Sequence, residues 1–253
     1  MQPAHELRQK VDTGQLTLGT LCTFHCWIGL VELCRDAGLD YLIIDMEHGP
    51  FDRQLVVDCC AAGRHINFPV LVRPPDLEIS TIRQAIDMGP VGFLLPTVET
   101  PEQLDRVRDA VLMPPRGSRR PGGPGNLWVS NVNLQNWIDQ VEKDFIVLPQ
   151  IETRLGLANL DAIAAHEMTY AMAVGPYDLA GSLGCCWDPN DEHRDAMKRI
   201  KDAAAAVGKA AWNIGDGPQL RDAGYHFICM GESTMFFQTR LTHEVADVRN
   251  GTT

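Results

Sequence analysis

The chain has no apolar run near the ~18 residues that a membrane-spanning helix needs. Its first ten residues, MQPAHELRQK, are polar and mixed in charge, unlike the apolar core of a signal peptide. These absences make a cytoplasmic protein the expectation. Positive charge is in short supply: 22 Lys and Arg against 33 Asp and Glu leave a formal net charge of -11. That removes any general attraction for nucleic acid or anionic membrane, so neither is expected as a partner. A small anionic substrate then needs a local arginine or a metal. No CxxC pair occurs among the eight cysteines, and the adjacent pairs Cys59-Cys60 and Cys185-Cys186 are poorly spaced for disulfides, so reduced thiols are expected. Cys22, His25 and Cys26 can be drawn as a metal trio, but no second pair matches them, and buried apolar cysteine is the plainer reading. No GxGxxG or Walker A string appears, which weighs against an open, doubly wound nucleotide-binding sheet.

What is present is a rhythm. Eight short apolar runs, at 16–23, 41–47, 69–74, 92–98, 145–152, 169–175, 210–215 and 226–232, have the character of parallel strands buried on both faces. Amphipathic stretches follow them at 28–38, 52–65, 80–89, 100–112, 153–165, 192–208 and 217–224, with a last helix from about Ser233 to residue 249. Gly38 reads as a helix stop, and Thr100 with Pro101 as an N-cap and first helical residue. Eight β-then-α units in 253 residues predict one α/β domain over 1–253, a (β/α)8 barrel of TIM type, which typically needs about 250 residues. Two segments break the rhythm, 113–136 and 181–192, and are expected as loops over the active face or at a subunit contact.

Catalytic groups of such a barrel gather at the C-terminal ends of its strands. Those ends carry Asp45, Glu47, His48 and Gly49, then Arg73, then Gln150 and Glu152, then Gly175, Pro176, Tyr177 and Asp178. Glu152 and Asp178 are candidate metal ligands, because hard divalent ions accept one or two carboxylates completed by water and substrate. Each also has a plain alternative, a charge or a cap at a helix N-terminus. Arg73 suits a substrate carboxylate or a developing enolate oxygen, or a structural ion pair. His48 suits general acid–base work, with Asp45 three residues earlier to orient it, or is a satisfied structural histidine. Gln150 is placed to bind substrate or to cap a backbone group. The five lysines, at 10, 143, 198, 201 and 209, all miss the inferred strand ends, which favours metal over imine chemistry.

The strings IIDMEHGPFD, VLVRPPD, QAIDMGPVGFLLPTVETPEQ, PPRGSRRPGG, PQIET and AVGPYDLAGSLG resemble, in order and spacing, the HpcH/HpaI family of class II pyruvate aldolases. The resemblance runs from about residue 18 to 184. It implies a barrel of the phosphoenolpyruvate/pyruvate-binding type and a carbon–carbon lyase that forms or cleaves 4-hydroxy-2-oxo acids, giving pyruvate and an aldehyde through an enolate. It implies a divalent ion (Mg²⁺, Mn²⁺, Co²⁺ or Zn²⁺) held by Glu152 and Asp178. By the same resemblance Arg73 contacts the pyruvate oxygens, Gln150 lies beside the substrate, His48 and Asp45 form an acid–base dyad, and backbone amides from Gly175 through Pro176 and Tyr177 to Asp178 hold the carboxylate. It also implies a hexamer built from dimers that exchange the last helix.

Two departures stand out. Gly89-Pro90 replaces the usual Gly-Ala, and Arg120 takes the place of a glycine in the arginine loop, which bears on the choice of aldehyde rather than on the chemistry. Two other readings compete: a citrate-lyase-β-like acyl-CoA lyase, with Arg116, Arg119 and Arg120 as a basic surface for the cofactor phosphates, and an inactive ligand-binding homologue. Asn126, Trp128 and Asn131 are further loop residues that could face an acceptor.

Overall fold

All eight apolar runs form parallel strands, and the strands close on themselves. The structure, a computed structural model, describes residues 1–131, 133–186 and 188–251. The last two positions of the expected 1–253 domain, and one position in each irregular segment (132 and 187), lie outside the described residues. The strands are β1 (Thr17–Cys22), β2 (Tyr41–Asp45), β3 (Val70–Arg73), β4 (Gly92–Leu95), β5 (Ile146–Ile151), β6 (Ala171–Val174), β7 (Ala210–Ile214) and β8 (Phe227–Glu232), each paired with the next and β8 with β1. This is a (β/α)8 barrel of TIM type.

The interior is filled with side chains rather than left as a pore. Tyr41 and Phe227 meet edge to face with ring centroids 5.1 Å apart, and Trp212 Nε1 donates to the Tyr41 hydroxyl at 2.8 Å. Gly19 leaves room for the Tyr41 ring, because a Cβ there would lie 2.3 Å from it.

Helices α2 (Ile28–Asp36), α3 (Arg53–His65), α4 (Ile79–Asp87) and α5 (Pro101–Val111) follow the first four strands. The α5 start is the expected one: Thr100 is the N-cap, Pro101 opens the helix, and Gln103 completes a capping box. The expected helix over 153–165 is broken at Asn159 into α7 (Arg154–Ala158) and α8 (Leu160–Ala165).

Two further features differ from the sequence reading, and of the two places expected for 113–136, over the active face or at a subunit contact, the first is not taken on its own barrel. The polar N-terminus is a helix, α1 (Gln2–Asp12), held by Ala4, Leu7 and Val11 on its inner face. The segment after β6 is not irregular from its start: α9 (Pro176–Leu183) extends into it, before α10 (Asp191–Ala206). The segment 113–136 does not cover the mouth of its own barrel. It packs against α4 instead, with buried Arg119 paired to Asp87 at 2.8 Å and Trp128 Nε1 donating to the Gly89 carbonyl at 2.9 Å, ahead of the one-turn helix α6 (Leu134–Trp137).

After β7 comes α11 (Gly217–Asp222), and the expected last helix is α12 (Ser233–Asn250), which buries none of its residues. No helix among the described residues is long and apolar enough to cross a membrane.

Candidate active site

A cavity of about 740 Å³ opens at the C-terminal ends of the strands, with His48, Arg73, Gln150, Gly175, Tyr177 and Asp178 among its lining residues. Arg73, His48 and Asp178, singled out in the sequence, therefore share one cavity, and Glu152 lies close enough to Asp178 and Glu47 for their charges to act on it. None of the lysines lines this cavity.

Arg73 and Asp45 come together because β2 and β3 pair in a register that sets Asp45 opposite Arg73. The guanidinium donates twice, Nε to Asp45 Oδ1 at 2.8 Å and Nη2 to Asp45 Oδ2 at 2.6 Å. Thr23 Oγ1 donates to Oδ2 at 2.9 Å, and the amides of Glu47 and His48 donate to Oδ1 at 3.0 and 3.3 Å. Burial opposes the charge on Asp45, but Arg73 and Thr23 outweigh it and hold the carboxyl below its usual range. Burial opposes the charge on Arg73 as well, and Asp45, Glu47 and Glu152 together hold it above its usual range.

The structure does not bring Asp45 to the imidazole, as the expected dyad required. Asp45 grips the backbone of the turn after β2 and not the His48 ring. The ring's carboxylate neighbour is Glu47, with His48 Nε2 3.7 Å from Glu47 Oε2. Glu47 Oε2 is also 3.2 Å from Arg73 Nε. Burial raises the Glu47 carboxyl above its ordinary value, against the lowering effect of Arg73 and His48.

Glu152 follows β5 and is buried. Its Oε1 accepts from the amide and hydroxyl of Thr97, at 2.6 and 2.7 Å. Thr97 reaches it from a left-handed backbone conformation, φ 47°, which costs a β-branched residue about 1–3 kcal/mol. The other oxygen, Oε2, is buried and has no hydrogen-bond partner, and neither has Gln150 Oε1. Both side chains lie against Gly175: a Cβ there would fall 2.4 Å from Glu152 Oε2 and 2.7 Å from Gln150 Nε2. Burial pushes the Glu152 carboxyl up to about 7, with the charges of Asp178 and Glu47 adding to the effect.

Asp178 stands exposed in the first turn of α9, where Gly175 and not Asp178 is the N-cap. Of the four residues expected to offer amides, Gly175 donates its own to the Ile151 carbonyl at 3.1 Å, and Pro176 has none. Tyr177 and Asp178 remain, with N–H groups in the helix's first turn that have no intrahelical acceptor.

This donor set fits a hard divalent cation. An acceptor oxygen is buried without a partner, Asp178 is close enough for its charge to act on it and on Glu47, and three carboxyls (Asp45, Glu47 and Glu152) act on one guanidinium. Among the described residues no three His, Cys, Asp or Glu side chains converge as a cage, so water and substrate oxygens would complete the shell. The notional Cys22, His25 and Cys26 trio is likewise not a cluster of this kind. Gly175→Ala tests the packing: the added methyl must displace Glu152 or Gln150. We expect Mn²⁺ affinity by calorimetry to fall about 10–100-fold; unchanged affinity would remove the glycine from the account.

Three polar residues at the mouth were missed from the sequence: Thr23, Thr97 and Glu232. Glu232 ends β8, caps α12 through the amides of Thr234 and Met235, and accepts from the Thr23 and Phe24 amides at 3.2 and 3.4 Å. Asn126, Trp128 and Asn131 do not line the cavity. Nor do the arginines of the loop. Arg119 is buried, and Arg116 pairs with Glu167 at 2.8 Å beside a separate cavity at the other end of the barrel, where β6 and β7 begin.

A sequence model of the family described as HpcH/HpaI aldolase/citrate lyase matches residues 29–238. A hydroxypyruvate/pyruvate aldolase of Deinococcus radiodurans is 36% identical over 196 residues, 72% of this chain and 69% of that protein. A 2-keto-3-deoxy-L-rhamnonate aldolase of Shigella boydii serotype 4 is 30% identical over 96% of this chain and 93% of its own length. Among solved structures, an HpcH/HpaI aldolase from Desulfitobacterium hafniense superimposes with a TM-score of 0.88 at 22% identity, covering 96% of both chains, a likeness of fold.

Proposed function

Because the chain belongs to the HpcH/HpaI aldolase/citrate lyase family, we propose that it is a metal-dependent pyruvate aldolase that cleaves and forms 4-hydroxy-2-oxo acids. The observation that carries this reading is the unpartnered Glu152 Oε2, buried beside Gly175 and within the field of Asp178. Glu152 and Asp178 would hold the divalent ion, which when bound supplies Lewis-acid charge to the ketone oxygen of a 2-oxo acid.

The chain's own groups do the rest. The amides of Tyr177 and Asp178, at the positive end of α9, hold the substrate carboxylate. Gln150 lies beside it. Arg73, locked by two bonds to Asp45, offers fixed positive charge where the enolate oxygen develops. His48 takes the 4-hydroxyl proton, the C3–C4 bond breaks, an aldehyde leaves, and that proton returns to the enolate's CH2 carbon, which becomes the methyl of pyruvate.

The acyl-CoA reading loses its footing on this chain. Of the arginines that would have met the cofactor's phosphates, Arg119 is buried at α4, Arg116 is paired at the far end of the barrel, and Arg120 is exposed but does not line the cavity. We also read α12 as the contact of a homo-oligomer: none of its residues is buried within its own chain, and it exposes Met235, Phe236, Phe237, Leu241, Val245 and Val248.

Coupled detection of pyruvate from a panel of 4-hydroxy-2-oxo acids tests the function. Exhaustive chelation should silence release, and Mg²⁺, Mn²⁺ or Co²⁺ should restore it. Full turnover by stripped protein would end the metal reading.

A further inference from the structure

Three thiols meet beside the cavity, and the reaction above uses none of them. Cys26 is half-buried in the loop 23–27 between β1 and α2, and its Sγ lies 3.7 Å from that of Cys59, fully buried on α3. Cys22, the last residue of β1, donates its S–H to the His25 carbonyl at 3.1 Å, closing the same loop from behind. The neighbouring thiols of Cys22 and Cys59 hold Cys26 below the usual thiol range, and Cys26, with burial, pushes Cys22 and Cys59 up. One partly accessible sulfur thus stands in near contact with a buried thiol, the arrangement of an attacking and a resolving cysteine.

We propose that Cys26 and Cys59 form a hydroperoxide-reactive pair, and that the disulfide between them disables the neighbouring cavity. The Cys26 thiolate attacks one peroxide oxygen: an S–O bond forms, the O–O bond breaks, and hydroxide leaves, giving the sulfenic acid. Cys59, as its proton departs, attacks that sulfur; the S–S bond forms and the sulfenic oxygen leaves as water. Two thiols lose two electrons in all, and hydrogen peroxide is reduced to two waters.

The bond requires movement. Sulfurs 3.7 Å apart must close to about 2.0 Å. The helical partner is packed in the core, so the loop carrying Cys26 yields. That loop also carries Phe24, which lines the cavity, and Thr23, whose hydroxyl supports the Asp45 that holds Arg73. A pull at Cys26 therefore displaces a cavity wall and loosens the brace behind Arg73.

The test is peroxide treatment of the full chain, alkylation of the remaining thiols, and peptide mapping with and without reductant. The expected product is a reducible cross-link between the peptides of Cys26 and Cys59, absent from Cys26→Ser and retained in Cys186→Ser, which removes an exposed thiol. Pyruvate release should fall several-fold in the wild type, recover with dithiothreitol, and be insensitive to peroxide in Cys26→Ser. The activity arm rests on the aldolase reading; the cross-link map does not, so failure of that reading leaves the map decisive. Because Cys59→Ser alters a buried site, the wild-type map is the primary evidence. A cross-link through Cys22 or Cys186, an unmodified Cys26, or the cross-linked enzyme turning over at the reduced enzyme's rate would each overturn the proposal.

Discussion

Glu152→Gln gives a folded protein whose metal-dependent pyruvate release is lower by about 10³-fold, the kinetic equivalent of several kcal/mol of lost charge stabilisation. The amide keeps the shape of the side chain, and its carbonyl can still accept from the Thr97 amide and hydroxyl that now bond Oε1. It cannot bring negative charge to the buried position of Oε2. A merely structural carboxyl would predict a modest loss, so turnover above a tenth of wild type would remove Glu152 from the metal site.

Stability without metal should move the other way. The Glu152 carboxyl titrates at about 7 in the fold against an ordinary 4.5. As pH rises between those values, the unfolded chain releases its proton first. Metal-free wild type therefore loses stability across that window and levels off above it. Glutamine has no proton to lose. The variant should match wild type at about pH 4, below the unfolded value, and exceed it by up to about 3 kcal/mol at about pH 8, read from urea midpoints. Metal affinity of the wild type should climb over the same window, because the ion displaces that proton.

Much of this architecture was legible because a doubly buried parallel strand has a plain signature: a short apolar run ending in polar residues. The unseen parts have specific causes. The stripe that fixes α1 is Met1, Pro3, Ala4, Leu7 and Val11 in an otherwise polar segment, and its partners are supplied by the barrel. The start of α9 hides in Gly-Pro-Tyr-Asp, which reads equally well as a turn; the proline is in fact the first helical residue. Thr23, Thr97 and Glu232 sit at strand ends as the rule requires, but a threonine there announces nothing until its hydroxyl has a carboxylate to meet. The spacing of Asp45 and His48 suggested a dyad, since three residues is a short reach. What spacing could not carry was register: pairing β2 with β3 sets Asp45 beside Arg73, and the turn after β2 offers it the amides of residues 47 and 48. The arginines of 113–136 were readable as a basic patch only while the path of that segment was unknown.

The Arg73–Asp45 pair yields the second large effect, and it separates a support role from a chemical one. Arg73→Met removes the positive charge facing the enolate oxygen and strands Asp45, which has no exposed surface. Breaking a buried pair from one side costs about 3–5 kcal/mol of stability, and losing a preorganised charge at the developing oxyanion costs on the order of 10²–10³-fold in turnover. Asp45 is held below its usual range, so its contribution is present in full at neutral pH and fades only as pH falls through that lowered value; midpoints taken at neutral pH therefore capture all of it. The double variant Asp45→Asn with Arg73→Met no longer buries a lone charge and should regain most of the lost stability. Its kcat/KM should stay as low as that of Arg73→Met alone, since nothing returns charge to the cavity. Arg73→Lys restores a charge without the two-pronged geometry, and should fall between wild type and Arg73→Met in both measurements. If the double variant recovered turnover along with stability, Arg73 would be a brace and nothing more. If Arg73→Met were as stable as wild type, the buried pair would not be what holds β2 and β3 in place at the mouth.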